Sequence, residues 1–149
     1  MRKHAGDVQE RRVASELAAQ GWDVCPWGQD VLSDRVRIAL TASNSRWRFF
    51  PDLVAARSGD VITVDAKDRL PGTPGQRFSI KRECVQFGLQ FMGAFGLPVF
   101  YVCGPQLAVL TPQEVMTYGT CQGGAYYLVW PSFARRFSDV FGEERVAVA

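Results

Sequence analysis

The sequence contains little of several residue types on which common active sites depend. Among its 149 residues there is one histidine, His4, and the four cysteines include no pair with CxxC spacing. A Ser-His-Asp triad therefore has a single candidate base, and zinc ligation by cysteine and histidine is not indicated. No GxxxxGK loop is present to cradle nucleotide phosphates. These absences argue against triad hydrolases, zinc proteins and P-loop nucleoside triphosphatases.

Long hydrophobic runs are also missing. No stretch approaches the roughly eighteen apolar residues of a membrane-spanning helix, and the segment 1–12 lacks the apolar core of a signal peptide. We expect a cytoplasmic protein without a membrane partner, in which thiols such as Cys25 and Cys103 are reduced and buried at strand ends. A hydrophobic content of 47% is ordinary for a globular chain. We therefore expect a single domain over residues 1–149.

Charge is nearly balanced over the whole chain. Seventeen basic residues face fifteen acidic ones, which gives a formal net charge of +2. Such a balance permits a nucleic-acid partner without requiring one, because any attraction must come from local segregation of charge. Most of the basic residues are arginines, whose planar fork suits phosphate oxygens.

The segment 49–69, FFPDLVAARSGDVITVDAKDR, predicts a β-hairpin. Two apolar runs, residues 49–56 and 60–67, flank Ser58-Gly59, which is typical of a two-residue hairpin loop. Residues facing each other across a hairpin keep a constant sum of residue numbers. This register pairs Arg57 with Asp60 and places Asp52 directly opposite Asp65.

Opposed side chains share one face of a sheet, so this register brings two carboxylates together. Their Cβ atoms would lie roughly 4.5–5.5 Å apart, where like charges destabilise the pair. A divalent cation between them would remove that repulsion, and oxygen ligands suit Mg²⁺ or Mn²⁺. Period-two alternation puts Lys67 on the face of Asp65, where its ammonium could stabilise an anionic transition state.

Pro51-Asp52 followed by Asp65-Ala66-Lys67 at the end of the next strand resembles the PD-(D/E)xK nuclease superfamily. The pattern is most similar to that of archaeal-type Holliday junction resolvases. The resemblance implies that Asp52, Asp65 and the carbonyl of Ala66 hold the metal and that Lys67 acts on water or the scissile phosphate. It also implies DNA as the substrate, with branched DNA as a candidate, and a homodimer as the working form.

An amphipathic helix is predicted from about Asp7 to Gln20, and Gly21 ends it. Val13, Ala14 and Leu17 lie three, four and seven residues after Glu10, so the helical period places Glu10 in the middle of the buried face. The resemblance gives this acidic residue a role as a further metal ligand and catalytic group. A plainer interpretation is that Glu10 favours the positive end of the helix dipole.

Residues 26–48 indicate either an added strand or an irregular excursion. They carry Arg46 and Arg48 together with Trp27 and Trp47, and basic residues interleaved with aromatic ones suit a nucleic-acid backbone and unstacked bases. Arginines on an ordinary solvated loop fit equally well. Arg69, directly before the turn-rich loop 70–76, and Lys81, at the border of the next helix, are further candidate nucleic-acid contacts. A Lys81 that only extends its charge into solvent also fits.

The remaining elements complete a predicted α/β fold. We expect a helix from Ser79 to about Gly93 with Ile80, Cys84, Phe87 and Phe91 buried, a buried strand over 97–103, and a second strand over 106–110. Thr111 and Glu114 predict a capping box that opens a short helix, and a strand over 126–130 and a helix from Ser132 to Phe141 follow. The order αβββαβ, a central mixed sheet flanked by helices, is that of a restriction-endonuclease-like fold.

Two functions follow from the sequence. The first is a Mg²⁺- or Mn²⁺-dependent DNA endonuclease with Glu10, Asp52, Asp65 and Lys67 as catalytic groups. The alternative is a DNA- or protein-binding module that has a nuclease-like fold and does not cut. The presence of all four charged groups favours the enzyme, because such a cluster is costly to maintain without a cation.

Overall fold

Helices and strands alternate around a five-stranded sheet in this computed structural model. It describes residues 2–67, 76–121 and 123–142, and it describes side chains in these ranges except those of residues 2–7, 29 and 30. In chain order the elements are α1 (Arg2–Ala19), β1 (Asp23–Pro26), α2 (Asp34–Ala42), β2 (Leu53–Arg57), β3 (Asp60–Lys67), β4 (Phe78–Lys81), α3 (Arg82–Phe95), β5 (Val99–Cys103), β6 (Ala108–Leu110), α4 (Pro112–Tyr118), β7 (Tyr126–Val129) and α5 (Phe137–Phe141).

The central sheet is mixed, with the strand order β1-β2-β3-β5-β6. Neighbours along it are antiparallel except β3 and β5, which are parallel and are joined through α3. The elements α1, β1, β2, β3, α3 and β5 reproduce the predicted αβββαβ order. The restriction-endonuclease-like α/β architecture is therefore confirmed.

Two hydrophobic clusters cover the two faces of this sheet. On one face Val13 and Leu17 of α1 pack with Leu53, Val64 and Val102. On the other face Cys84, Val85 and Phe91 of α3 pack with Val99 and Tyr101. Because side chains alternate along β3, residues on either side of Val64 point toward α3, and Asp65 and Lys67 lie on that face.

The predicted hairpin register is correct. Arg57 pairs with Asp60 and Val54 with Thr63, and the ladder ends at Leu53 opposite Val64. Ser58 and Gly59 both have positive φ, 49° and 88°, as a type I′ turn requires. The first strand is shorter than predicted, because residues Arg46–Phe49 form a 3₁₀ helix whose cap, Ser45, accepts a bond from the Trp47 N–H.

The prediction for residues 26–48 was wrong, since this segment contains a helix. Ser33 caps α2 by accepting a hydrogen bond from the N–H of Val36, and Asp34 occupies the first turn. None of the nine residues of α2 is buried. The start of this helix is set by its local cap rather than by a buried face, and such a cap is easily missed in a segment interpreted as a strand or an irregular excursion.

The prediction that Ser79 caps a helix was also wrong, because Ser79 lies inside β4. The helix α3 begins three residues later and ends at Gly96, whose φ of 66° suits a glycine cap. Phe78 and Ile80 are buried in strand alternation, and β4 pairs with β7 in a separate two-stranded sheet. Ile80 fits both the helical and the strand period, which explains the error.

The second half of the chain matches the prediction in part. Thr111 and Glu114 form the predicted capping box. The predicted helix from Ser132 is instead a 3₁₀ helix at Pro131–Phe133 followed by the short α5. Cys103 is buried as expected, whereas Cys25 is exposed on β1, a strand at the edge of the sheet. In the described ranges no helix is long and apolar enough to cross a membrane.

Candidate functional site

Asp52 and Asp65 meet at the end of the hairpin. Asp52 lies one residue before β2, and its Oδ2 accepts a hydrogen bond of 2.8 Å from the backbone N–H of Ala66. Asp65 directly precedes Ala66 on β3, and the Asp65 side chain is only 10% exposed. The hairpin register thus places a carboxylate from before β2 against one from near the end of β3.

Burial and mutual repulsion perturb this carboxyl pair. Burial, followed by the charge of Asp65 and a hydrogen bond to its carboxyl group, raises the pKa of Asp52 well above its ordinary value. The ammonium of Lys67 and the N–H of Ala66 act in the opposite direction without cancelling the rise. In the absence of a cation, Asp52 therefore keeps its proton to a higher pH than an isolated aspartate does.

Lys67 is held against Asp65 at the end of β3. Its Nζ lies 2.9 Å from Oδ2 of Asp65 and 5.6 Å from the ring centroid of Tyr101. Burial alone would lower the pKa of Lys67, but the charge of Asp65 reverses the effect, and the pKa of Lys67 is raised well above its ordinary value. Lys67 is consequently a fixed ammonium group.

Cys84 belongs to the same cluster, although the sequence indicated only a buried helical residue. Its Sγ lies 3.5 Å from Nζ of Lys67 and 3.6 Å from Oδ2 of Asp65. Burial raises the pKa of Cys84, so the thiol is neutral. Its position could have been predicted, because Cys84 lies in the first turn of α3 and this helix packs on the face of the sheet that carries Asp65.

The structure does not place Glu10 in the middle of the buried face of α1. That position belongs to Gln9, which is 3% exposed and donates through Nε2 to the carbonyls of Gly104 at 2.9 Å and Lys67 at 3.4 Å. Glu10 is half-buried beside it. The prediction erred by one residue because the stripe Gln9, Val13, Leu17 follows steps of four, and a polar residue heads it.

The helix α1 also covers the face opposite Asp65 and Lys67, because its buried residues Val13 and Leu17 pack with Val64. Among the side chains that the structure describes, no group of three or more His, Cys, Asp or Glu residues could hold a metal ion. The structure therefore brings Asp52 and Asp65 together but does not group Glu10 with them.

A two-carboxylate site nevertheless fits Mg²⁺ or Mn²⁺. Magnesium is commonly held by one or two carboxylates, with waters and substrate phosphates completing its octahedron. Burial and the repulsion from Asp65 together raise the pKa of Asp52, and a bound cation would relieve the repulsion. The donor set is all oxygen, as these metals prefer.

Arg46 and Arg48 lie in the 3₁₀ helix that precedes Pro51 and Asp52. The Arg46 guanidinium donates to Gln90 and lies over the ring of Phe87, 5.3 Å from its centroid. Arg48 pairs with Glu83 at 3.3 Å and donates to Asn44. A polar groove of about 390 Å³ along α3 is lined by Asn44, Arg46, Arg48, Phe49, Glu83, Gln86 and Gln90.

Of the other two predicted nucleic-acid contacts, Lys81 and Arg69, the structure describes only Lys81. Lys81 is exposed at the last position of β4, directly before α3, rather than at the border of a buried helical stripe. Arg69 lies outside the described residues.

Comparison with known proteins finds the same fold in nucleases. The chain is similar to Hjc, a Holliday junction resolvase from the archaeal hyperthermophile Archaeoglobus fulgidus, with a TM-score of 0.63 and 15% identity over 95% of this chain and 98% of that one. It is also similar to D212, a nuclease from a fusellovirus, with a TM-score of 0.53 and 12% identity over 94% of this chain and 88% of that one. No protein-family model and no curated protein sequence matches the chain.

Proposed function

We propose that this protein is a metal-dependent DNA endonuclease that hydrolyses phosphodiester bonds. The observation that carries the proposal is the meeting of Asp52, Asp65 and Lys67 at one strand end, on a fold similar to two nucleases. Two carboxylates that repel each other and an adjacent fixed ammonium are suited to a divalent cation and a phosphate, respectively.

Each group has a proposed role in the reaction. Asp52 and Asp65 would hold Mg²⁺ or Mn²⁺, with the carbonyl of Ala66 and the carboxylate of Glu10 as further ligands. When bound, the metal supplies Lewis-acid polarisation of a phosphoryl oxygen and a lowered pKa for water. Lys67 donates hydrogen bonds to the non-bridging oxygens of the scissile phosphate, where negative charge develops. Asp65, which fixes the Lys67 ammonium at 2.9 Å, positions that donor.

The DNA would approach from the side of α3 and the 3₁₀ helix at Arg46–Phe49. Arg46 and Arg48 are held by neighbouring side chains along the polar groove, so little side-chain entropy remains to be lost when they bind phosphates. Arg69 and Lys81 are further proposed phosphate contacts. Similarity to a Holliday junction resolvase supports branched DNA as the substrate. A homodimer is the proposed acting form.

A second candidate function is a nuclease-like module that binds DNA without cutting it. The observation that favours this candidate is the lack, among the described side chains, of a third acidic or imidazole ligand close to Asp52 and Asp65. A module of this kind would need the arginines but not Lys67.

The experiment that separates the two functions is incubation with a panel of four-way junction, flap, single-stranded and duplex DNAs in Mg²⁺ or Mn²⁺. The enzyme proposal predicts products that require the metal and disappear in the Asp65→Asn variant. Binding to every DNA without cleavage in either metal would reject the enzyme and leave the module.

A further inference from the structure

The two-stranded sheet of β4 and β7 presents an outward face that the site at Asp52 and Asp65 does not use. Its register pairs Ser79 with Leu128 and Lys81 with Tyr126. Phe78 and Ile80 point inward and are 5% and 1% exposed, so Ser79 and Lys81 point outward.

The same outward row continues one step beyond the ladder. Continuing the register by one pair on this face places Arg77 opposite Trp130. The Arg77 guanidinium lies over the Trp130 ring, 5.3 Å from its centroid. Trp130 is 48% exposed and Tyr126 is 42% exposed. The face, which we call the ribbon face, thus consists of Arg77 with Trp130, Ser79 with Leu128, and Lys81 with Tyr126.

We infer that the ribbon face binds a single nucleic-acid strand, with Trp130 and Tyr126 stacking on unpaired bases and Arg77 and Lys81 contacting phosphates. This inference rests on the proposed function, since it identifies the form of DNA that the site takes. Aromatic rings beside cations are the common components of single-strand binding surfaces, because every unpaired base offers a π-face to stack on.

Charge and spacing on the ribbon face suit a polyanionic strand. Segments 76–81 and 123–130 contain no Asp or Glu. The two cation–aromatic pairs lie four residues apart on each strand, or about 13 Å at the usual rise of a β-strand. Stacked bases rise about 3.4 Å each, so the pairs contact different nucleotides. A protein partner would need a more continuous apolar centre than the half-buried Leu128 provides between the pairs.

The ribbon face also leads to the carboxylate site. Lys81 is the last residue of β4 and the cap of α3, and Cys84, three residues later, contacts Asp65 and Lys67. Residues three apart at the start of a helix are neighbours. The ribbon face is therefore joined by one short stretch of chain, Lys81 to Cys84, to the cluster of groups proposed to cut the strand.

The test measures the affinity of the full chain in Ca²⁺ for a labelled oligothymidylate and for a blunt duplex of the same length. Tyr126→Ala and Trp130→Ala should each weaken single-strand binding about tenfold, the cost of removing one base–aromatic stack. Binding of the duplex should change less, because its bases are already stacked. Trp130→Phe, which keeps a ring, should restore much of the affinity that Trp130→Ala removes.

Phe95→Ala is the matched control, because Phe95 is 61% exposed at the far end of α3 and should not affect binding. A second measurement is independent of variants: a 4-thiothymidine strand photocrosslinked to the unmodified protein should modify Tyr126 or Trp130. Crosslinks found only at other residues would overturn the inference. Unchanged single-strand affinity in both alanine variants would also overturn the inference, even if these variants change the self-association of the protein.

Failure of the inference and failure of the proposed function give different results. If the wild type cuts DNA but the ribbon variants bind the single strand normally, the ribbon face is rejected and the endonuclease stands. If single-strand binding depends on Tyr126 and Trp130 but no substrate is cut in Mg²⁺ or Mn²⁺, the ribbon face stands and the endonuclease is rejected.

Discussion

The Asp52 carboxylate is held by the strand that carries its partner, because it accepts a 2.8 Å hydrogen bond from the Ala66 N–H, next to Asp65. A bond between side chain and backbone fixes the separation of the two carboxylates through the hairpin itself. The pair is therefore preorganised for a cation, and the repulsion between its members is part of the folded state.

The burial of Asp52 and its repulsion from Asp65 should make the stability of the metal-free protein depend on pH. The pKa of Asp52 is raised in the folded state, so the folded protein binds this proton more tightly than the unfolded chain does. The resulting stabilisation is fully present below the unfolded pKa of about 3.9 and is lost as pH rises through the raised folded value. Thermal unfolding of the protein in EDTA should show the melting temperature falling across this range.

Asp52→Asn is the control for this dependence, because the amide keeps the shape and cannot ionise. The variant should lose less stability than the wild type as pH rises above about 4. Mg²⁺ should stabilise the wild type more at the higher pH, since binding must displace the proton. Identical pH profiles for wild type and Asp52→Asn would contradict the assignment.

Gln9 should matter for folding more than its neighbour Glu10. Gln9→Ala removes the buried amide that donates to the Gly104 carbonyl, which keeps its bond from the Leu107 N–H, at an expected cost of about 0.5–1.5 kcal/mol in the free energy of unfolding. Glu10→Gln, at the half-buried position beside it, should change stability by less than about 0.5 kcal/mol. Urea denaturation measures both, and an equal loss in the two variants would show that the buried amide is not the stabilising group.

Arg46 and Arg48 should contribute to DNA affinity but not to metal binding. Replacing both with alanine should weaken binding in Ca²⁺ and reduce the slope of log affinity against log salt by about 0.7–0.9 for each phosphate that the protein no longer neutralises. Arg136→Ala, an exposed arginine at the start of α5, is the matched control and should leave the slope unchanged. An unchanged slope in the double variant would remove the groove from the DNA-binding surface.

The parts of the site that were predictable from sequence are those fixed by local geometry. The turn at Ser58-Gly59 sets the register, and the register alone brings Asp52 to Asp65 and places Lys67 on the same face. The position of Gln9 and the approach of Cys84 depend on how α1 and α3 pack on the sheet. A helical period read from α1 cannot distinguish neighbours at the head of its stripe. The helix α2 buries no residue, so no packing against the core marks it, and its start depends on the local cap at Ser33.

The measurement that tests the central claim most directly is single-turnover cleavage of a DNA that the protein binds, in Mn²⁺, with affinity measured in parallel in Ca²⁺. Lys67→Ala should lower the cleavage rate by about 10²–10³-fold, the loss expected when one stabiliser of a developing anion is removed, while affinity changes little. Asp65→Asn should lower the rate further, because it removes a metal ligand. A wild-type protein that binds but never cuts, or a Lys67→Ala variant that cuts at the wild-type rate, would contradict the account.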